Sequence, residues 1–276
     1  MGLFTKNYAK PGKGITKEEA ARRSYFDIFG RHFSDLVKLN MLFILSNVLF
    51  IAAATVLFKV YFSDVRGILS VFQSGQRIVL PLLPFVPFMF MGPFTAGFTY
   101  VLRNWSRQEH AFLFSDYFEH SWKNVKQGLC VSVFGTLVTY LLLNAFIFYL
   151  QSGMPTFFVL FVAALAAILL LSMSFYIFPM MVTFDMKLRE IVKNAWIFAM
   201  AKLPQNIFYL AVIVLVHGLL LWYVPIVWTI LMLFILISWT GFTVNYYAWH
   251  VIDKHMMTQV SEAEEEPEED VFTDTI

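Results

Sequence analysis

Between residues 39 and 250 the chain is a near-continuous succession of apolar blocks, with short polar gaps holding most of the charge. A helix crosses the hydrocarbon core of a bilayer with about 20 mostly apolar residues, within a range of about 17 to 25. Blocks of that length lie at 39–58, 80–102, 129–150 and 157–182. A fifth apolar run, 207–249, is too long for one crossing and contains Pro225. Proline lacks an amide donor and disfavours helix at the residue before it. Trp222 and Tyr223, just ahead of it, suit a water–lipid interface. The run therefore divides into 207–223 and 226–247, for six predicted spans.

A second pattern, amphipathic and aromatic, precedes three of the spans. Tyr25, Phe29, Phe33 and Leu36 recur every three or four residues before the first span, with Arg31, Asp35 and Lys38 between them. Asp27–Arg31 and Arg31–Asp35 have the spacing of oppositely charged helix pairs, and Thr16 with Glu19 has that of a capping box. Phe118, Trp122, Val125 and Leu129 form the stripe before the third span, with Ser115 or Asp116 as the expected cap. Leu188, Ile191, Val192, Ala195 and Phe198 form the stripe before the fifth, with Asp185 as cap. Such helices lie in a membrane interface with the apolar face among acyl chains. Phe29 and Phe33 align with Phe118 and Trp122 at an offset of 89 residues, which points to repeated helix hairpins. The expected fold is an all-α polytopic membrane protein of six transmembrane helices, with three amphipathic interfacial helices and a three-fold internal repeat.

Charge orients the bundle. Of the Lys and Arg residues, 17 fall before the first span, in the gaps around 103–126 and 187–202, or after the last span; only Lys59, Arg66 and Arg77 fall on the other side. The positive-inside rule then places both termini and all three amphipathic helices in the cytoplasm. Residues 1–23 form a polar cytoplasmic segment without the apolar stretch of a signal peptide, and 24–255 the membrane domain. Residues 256–276 form a tail in which seven of the nine positions 262–270 are acidic. It has little to bury and is expected to be disordered, either as a solvated tail or as a docking segment for a basic partner.

Composition agrees and narrows the function. Only 14% of the chain is charged, against 59% hydrophobic, where a soluble domain carries about 25% charge. A net charge of +1 gives no basic surface for nucleic acid. The lone cysteine, Cys130, allows neither an internal disulfide nor a multi-cysteine metal site. The histidine pairs His110/His120 and His250/His255 lack the spacing of a helical zinc motif. There is no phosphate-binding glycine loop, no nucleophile elbow around Gly67–Gly75, and no intramembrane aspartate pair, so no enzyme and no cofactor are expected. No Asp, Glu, Lys or Arg falls near the middle of a span, which argues against a proton-coupled path. The midspan polar residues Asn47, Asn144 and His217 are explained more cheaply by interhelical hydrogen bonds than by substrate binding.

Two regions stand out as candidate sites. Pro81, Pro84 and Pro87, then Gly92, Pro93 and Gly97, break up the second span. Irregular backbone at membrane depth is tolerated only against protein or a wet cavity, so this span lines one or the other. At its end, Arg103 and Arg107 lie one helical turn apart, and Asp116 opens the next helix. Asp116 is expected to pair with one of these arginines, or the arginines to meet a partner's carboxylate; simple anchoring at the boundary is the alternative.

The stretch from Gly92 through Arg107, followed by Ser115-Asp116-Tyr117-Phe118 and Lys123-Asn124-Val125-Lys126-Gln127, resembles the YesL-like family of small polytopic bacterial membrane proteins. Lys10-Pro11-Gly12-Lys13-Gly14, Leu36-Val37-Lys38-Leu39-Asn40 and Asn194-Ala195-Trp196-Ile197-Phe198 resemble it as well. The resemblance covers roughly residues 8 to 255 and excludes the acidic tail. It implies a Gram-positive cell membrane and an accessory role in carbohydrate uptake or sensing, with an ABC-type sugar permease or a sensor histidine kinase as partner. It implies no catalytic residues and leaves self-association open. A small transporter or substrate-capturing component, with the proline-rich span lining the path, is the second expectation, and an unrecognised membrane enzyme the third.

Overall fold

A computed structural model describes residues 24–61 and 80–257. The expectations placed on residues 1–23, on Arg66, Arg77 and the Gly67–Gly75 stretch, on the Pro81 ring and on the acidic tail lie outside the described residues. The elements are α1 (Tyr25–Arg31), α2 (Phe33–Tyr61), a 3-10 helix (Leu80–Phe90), α3 (Gly92–Ser106), α4 (Leu113–Lys123), α5 (Val125–Gln151), α6 (Thr156–Thr183), α7 (Leu188–Ala201), α8 (Leu203–Tyr223), α9 (Pro225–Leu231) and α10 (Ile237–Ile252). Wider π-helical turns at Met232–Leu236 and Asp253–Met257 follow α9 and α10. No strand occurs among the described residues.

Among the described residues five helices are long and apolar enough to cross a membrane: α2, α5, α6, α8 and the continuous stack Pro225–Met256. A further candidate is the pair formed by the 3-10 helix and α3, bent by 46°. The outward surfaces of the long helices are themselves apolar, with Leu49, Phe157 and Ile226 among the most exposed side chains. A helix apolar on all sides and yet exposed is matched to lipid rather than water. The chain is a polytopic helical membrane protein.

The proline spacing explains the second span. Pro84 and Pro87 sit inside the 3-10 helix, where neither has an amide to give to the ladder, and the segment does not continue as regular α-helix. Regular α-helix resumes at Gly92, with Pro93 in the first turn, where its missing donor costs nothing. From there α3 is the hub of the fold. Twelve of its 15 residues are buried, against α4, α5, α6 and α10. Two glycines make that approach feasible. A Cβ on Gly92 would overlap the Gly128 carbonyl of α5, and one on Gly97 would overlap the Tyr117 carbonyl of α4.

The short helices α1, α4 and α7 each lead into a long one through a single residue, with nearly the same backbone each time. His32 has φ −94° and ψ 8°, Asn124 φ −100° and ψ 16°, and Lys202 φ −111° and ψ 24°. Each junction amide still bonds the carbonyl four residues back, and each junction carbonyl accepts from the amide four residues on. The helical ladder thus passes through the break while the axis turns. His32 and Asn124 are 92 positions apart, against an offset of 89 between the aromatic residues. On this register Tyr25 corresponds to Tyr117, and both face inward.

α1 opens on a Ser24–Asp27 capping box, and the expected Thr16–Glu19 pair lies outside the described residues. Local detail differs from the sequence expectation in three places. Asp35 pairs with Lys38 at 2.9 Å rather than with Arg31. α4 begins at Leu113, ahead of Ser115, and Asp116 reaches back to accept from the Phe112 amide at 2.9 Å. α7 begins at Leu188, where Glu190, not Asp185, accepts from the Lys187 amide. In the last two cases a carboxylate inside the first turn does what a cap ahead of it was expected to do, helped by the positive end of the helix dipole.

Candidate functional site

The ends of α3, α6 and α10 meet α1, α4 and α7 at the end of the bundle where basic residues gather. Here Arg103 is 7% exposed. Its Nη1 donates to the Val182 carbonyl at 2.9 Å and to Thr183 Oγ1 at 3.1 Å. Its Nε and Nη2 both donate to Asn104 Oδ1, at 3.0 and 2.6 Å. The Tyr100 ring lies 4.7 Å from the guanidinium carbon. Among the described residues no carboxylate reaches ion-pair distance of Arg103. A buried cation without a counterion is costly. The last carbonyls of α6 supply the compensation, since they carry the negative end of a 28-residue helix. Arg103 thereby fastens α3 to the end of α6.

Arg107, one turn on, fastens α3 to α10. Its guanidinium lies 3.9 Å over the Trp249 ring and pairs with Glu109 at 2.7 Å. Glu109 is brought back by Gln108, whose φ of 60° reverses the chain so that the Glu109 amide bonds the Asn104 carbonyl. Asp116 does not join either arginine; its carboxylate is held at the start of α4. The structure therefore brings Arg103 and Arg107 together and leaves Asp116 out of the expected pair.

Two histidines pack beside these groups. His120 stacks on Tyr100, the ring that also faces Arg103. His32 stacks on Trp105 with centroids 5.1 Å apart. Burial holds both imidazoles below their ordinary pKa. For His32, Asp35 opposes that shift; for His120, Glu119 and Asp116 oppose it, while Lys123 and Arg103 add to it. Among the described residues no group of three His, Cys, Asp or Glu side chains is placed to hold a metal ion.

At membrane depth the polar residues knit helices together. His217 of α8 bonds Thr240 Oγ1 at 2.9 Å and accepts from Trp228 Nε1 at 3.3 Å. Asn47 and Asn144 depart from the expected interhelical role. Each donates to the carbonyl four residues back in its own helix, and Asn47 Oδ1 is buried without a partner. Besides His217, the interhelical bonds come from residues outside the sequence candidates. Asn40 bridges α2 to the π-helical turn after α9. Asn206 Oδ1 accepts from the Tyr176 and Tyr247 hydroxyls at 2.6 and 2.7 Å, joining α6, α8 and α10. Both asparagines lie at span margins, where a polar residue looks unexceptional in sequence.

A cavity of about 1060 Å³ opens between the 3-10 helix, α5 and α6. Phe85 and Phe88, flanking Pro84 and Pro87, form one wall, and its lining is mostly apolar. Gly92 and Pro93 lie instead at the tight contact between α3 and α5. No protein-family model, curated protein or solved structure matches this chain.

Proposed function

We propose that this chain is a non-enzymatic accessory protein of the bacterial cell membrane, built of six spans in three lead-in-helix and hairpin repeats, with both termini and α1, α4 and α7 at the cytoplasmic face. Its partner is a membrane complex for carbohydrate uptake or sensing, an ABC-type permease or a sensor histidine kinase. The carbohydrate part rests on the sequence resemblance to the YesL-like family alone. The orientation rests on the excess of Lys and Arg at one end of the bundle. The three junctions at His32, Asn124 and Lys202 support the repeat.

The observation that carries an accessory role over sugar transport is the character of the cavity. Its lining is mostly apolar, and the interhelical bonds of Asn40, Asn206 and His217 are made to other parts of the protein. A sugar hydroxyl moved into such a site without a partner loses about 1–3 kcal/mol. Affinity purification from mild detergent, with identification of the bound proteins, tests the reading: a permease or kinase subunit is expected, and saturable sugar uptake by the purified protein alone in proteoliposomes would overturn it. Orientation is tested by cysteine reporters in a Cys130→Ala background. Gly153→Cys should react with an impermeant reagent on intact cells, and Lys254→Cys only after lysis.

The cavity itself favours a second reading, a component that captures an apolar or amphiphilic substrate, because the proline-rich segment forms its wall.

A further inference from the structure

We propose that the cavity between the 3-10 helix, α5 and α6 is a specific site for one anionic phospholipid, with an acyl chain in the cavity and the headgroup at Arg189. This rests on the membrane placement proposed above and not on the identity of any protein partner.

Length, opening and charge select this occupant. The stretch of α5 that lines the cavity runs from Cys130 to Thr139. At 1.5 Å per residue that is about 13 Å, close to the roughly 15 Å of one leaflet's share of a 30 Å hydrocarbon core. Phe134 and Leu171, both lining residues, are exposed on the outward surface of the bundle, so the cavity opens sideways onto lipid rather than endwise onto water. Arg189 is the one charged residue in the lining. It is exposed, and among the described residues it has no ion-pair partner. The Gln127 side chain, bonded to the Met186 carbonyl at 3.1 Å, holds the start of α7 against the start of α5. Arg189 therefore stands at the basic end of the cavity, where a lipid phosphate sits when its chain points toward the bilayer centre. A guanidinium fork suits phosphate oxygens. A sugar or a free anion has no use for the apolar length, and an uncharged hydrocarbon has none for Arg189.

The test uses the full chain in detergent micelles with equal parts phosphatidylglycerol and phosphatidylcholine, bound lipid being counted by native mass spectrometry. The wild type is expected to retain one phospholipid, mainly phosphatidylglycerol. Arg189→Gln should lower that preference about fivefold, the equivalent of one basic residue at an anionic surface. Gly135→Leu should expel both lipids, because a side chain there enters the cavity; a Cβ at Gly135 meets nothing within 4 Å, so the fold is spared. A wild type without bound lipid, equal retention of the two lipids, a protein dimer in place of lipid, or an unchanged preference in Arg189→Gln would each overturn the proposal. Because Arg189 is exposed, its variant decides the matter even where Gly135→Leu misfolds.

Discussion

Asn40 Oδ1 accepts a hydrogen bond from the Ser238 amide at 2.9 Å, while its Nδ2 donates to the Met232 and Leu233 carbonyls. One side chain thus satisfies the backbone groups around the π-helical turn at Met232–Leu236, where the i→i−4 ladder is interrupted. Replacing Asn40 with Leu leaves buried backbone groups without partners, at about 1–3 kcal/mol for each such group. Asn47→Leu is the matched control. Asn47 donates only within its own helix, and its Oδ1 has no partner to lose. Thermal unfolding in detergent should show a clear fall for Asn40→Leu and little change, or a gain, for Asn47→Leu. Equal losses would mean that Asn40 contributes only bulk.

The hub helix makes a steric prediction. Gly92→Ala puts a methyl group into the Gly128 carbonyl, which is backbone and has nowhere to move. Overpacking of this kind costs typically about 1–3 kcal/mol. Gly218→Ala adds the same methyl inside α8 with nothing within 4 Å, and there alanine should stabilise by about 0.5–1 kcal/mol through helix propensity. Opposite signs in the two unfolding midpoints are the expected result.

The long apolar helices are legible in sequence because length and hydropathy alone decide them. Pro225, flanked by Trp222 and Tyr223, likewise marks the break at Val224 by simple donor chemistry. The junctions are not legible. His32, Asn124 and Lys202 share a backbone conformation but no side-chain chemistry, so nothing in composition singles them out. The partners of Arg103 were hidden for a related reason. A sequence offers carboxylates as obvious partners, and Asp116, which opens the next helix, is the one its position suggests; the acceptors used are helix-end carbonyls, which every residue possesses. Asn40 escaped notice because its value lies in an irregular turn almost 200 residues away.

Acid should loosen the basic end. His32 and His120 have pKa values held below the ordinary value by burial. Below about pH 6.5, the usual histidine value, the unfolded chain takes up protons that the folded chain resists, so stability falls as pH drops through that window. It is regained as pH rises above 6.5. The unfolding midpoint measured between pH 5 and 8 should show this slope. The double variant His32→Gln/His120→Gln should flatten it, and a slope unchanged by both substitutions would assign the effect to other groups.

The arginines offer the sharpest distinction between a built site and plain anchoring at a membrane boundary. Anchoring needs only a positive charge, and lysine supplies that. The geometry at Arg103 needs more: Nη1 on the end of α6 and Nε with Nη2 on Asn104, two directions served at once by a planar fork. Lysine has one ammonium and reaches one of them. Buried as Arg103 is, Arg103→Lys should cost at least about 1.5–3 kcal/mol, the worth of a charge-assisted hydrogen bond. Arg107 lies against Trp249 and Glu109 and is more exposed. Arg107→Lys keeps the ion pair and weakens only the stacking, for about 0.5–1 kcal/mol. Insertion and expression should be normal for both, since the charge count at this end is unchanged. Unfolding midpoints and partner co-purification should rank the variants wild type, Arg107→Lys, then Arg103→Lys. If both lysine variants match the wild type in stability and in partner recovery, the two arginines are anchors and the fork geometry is incidental.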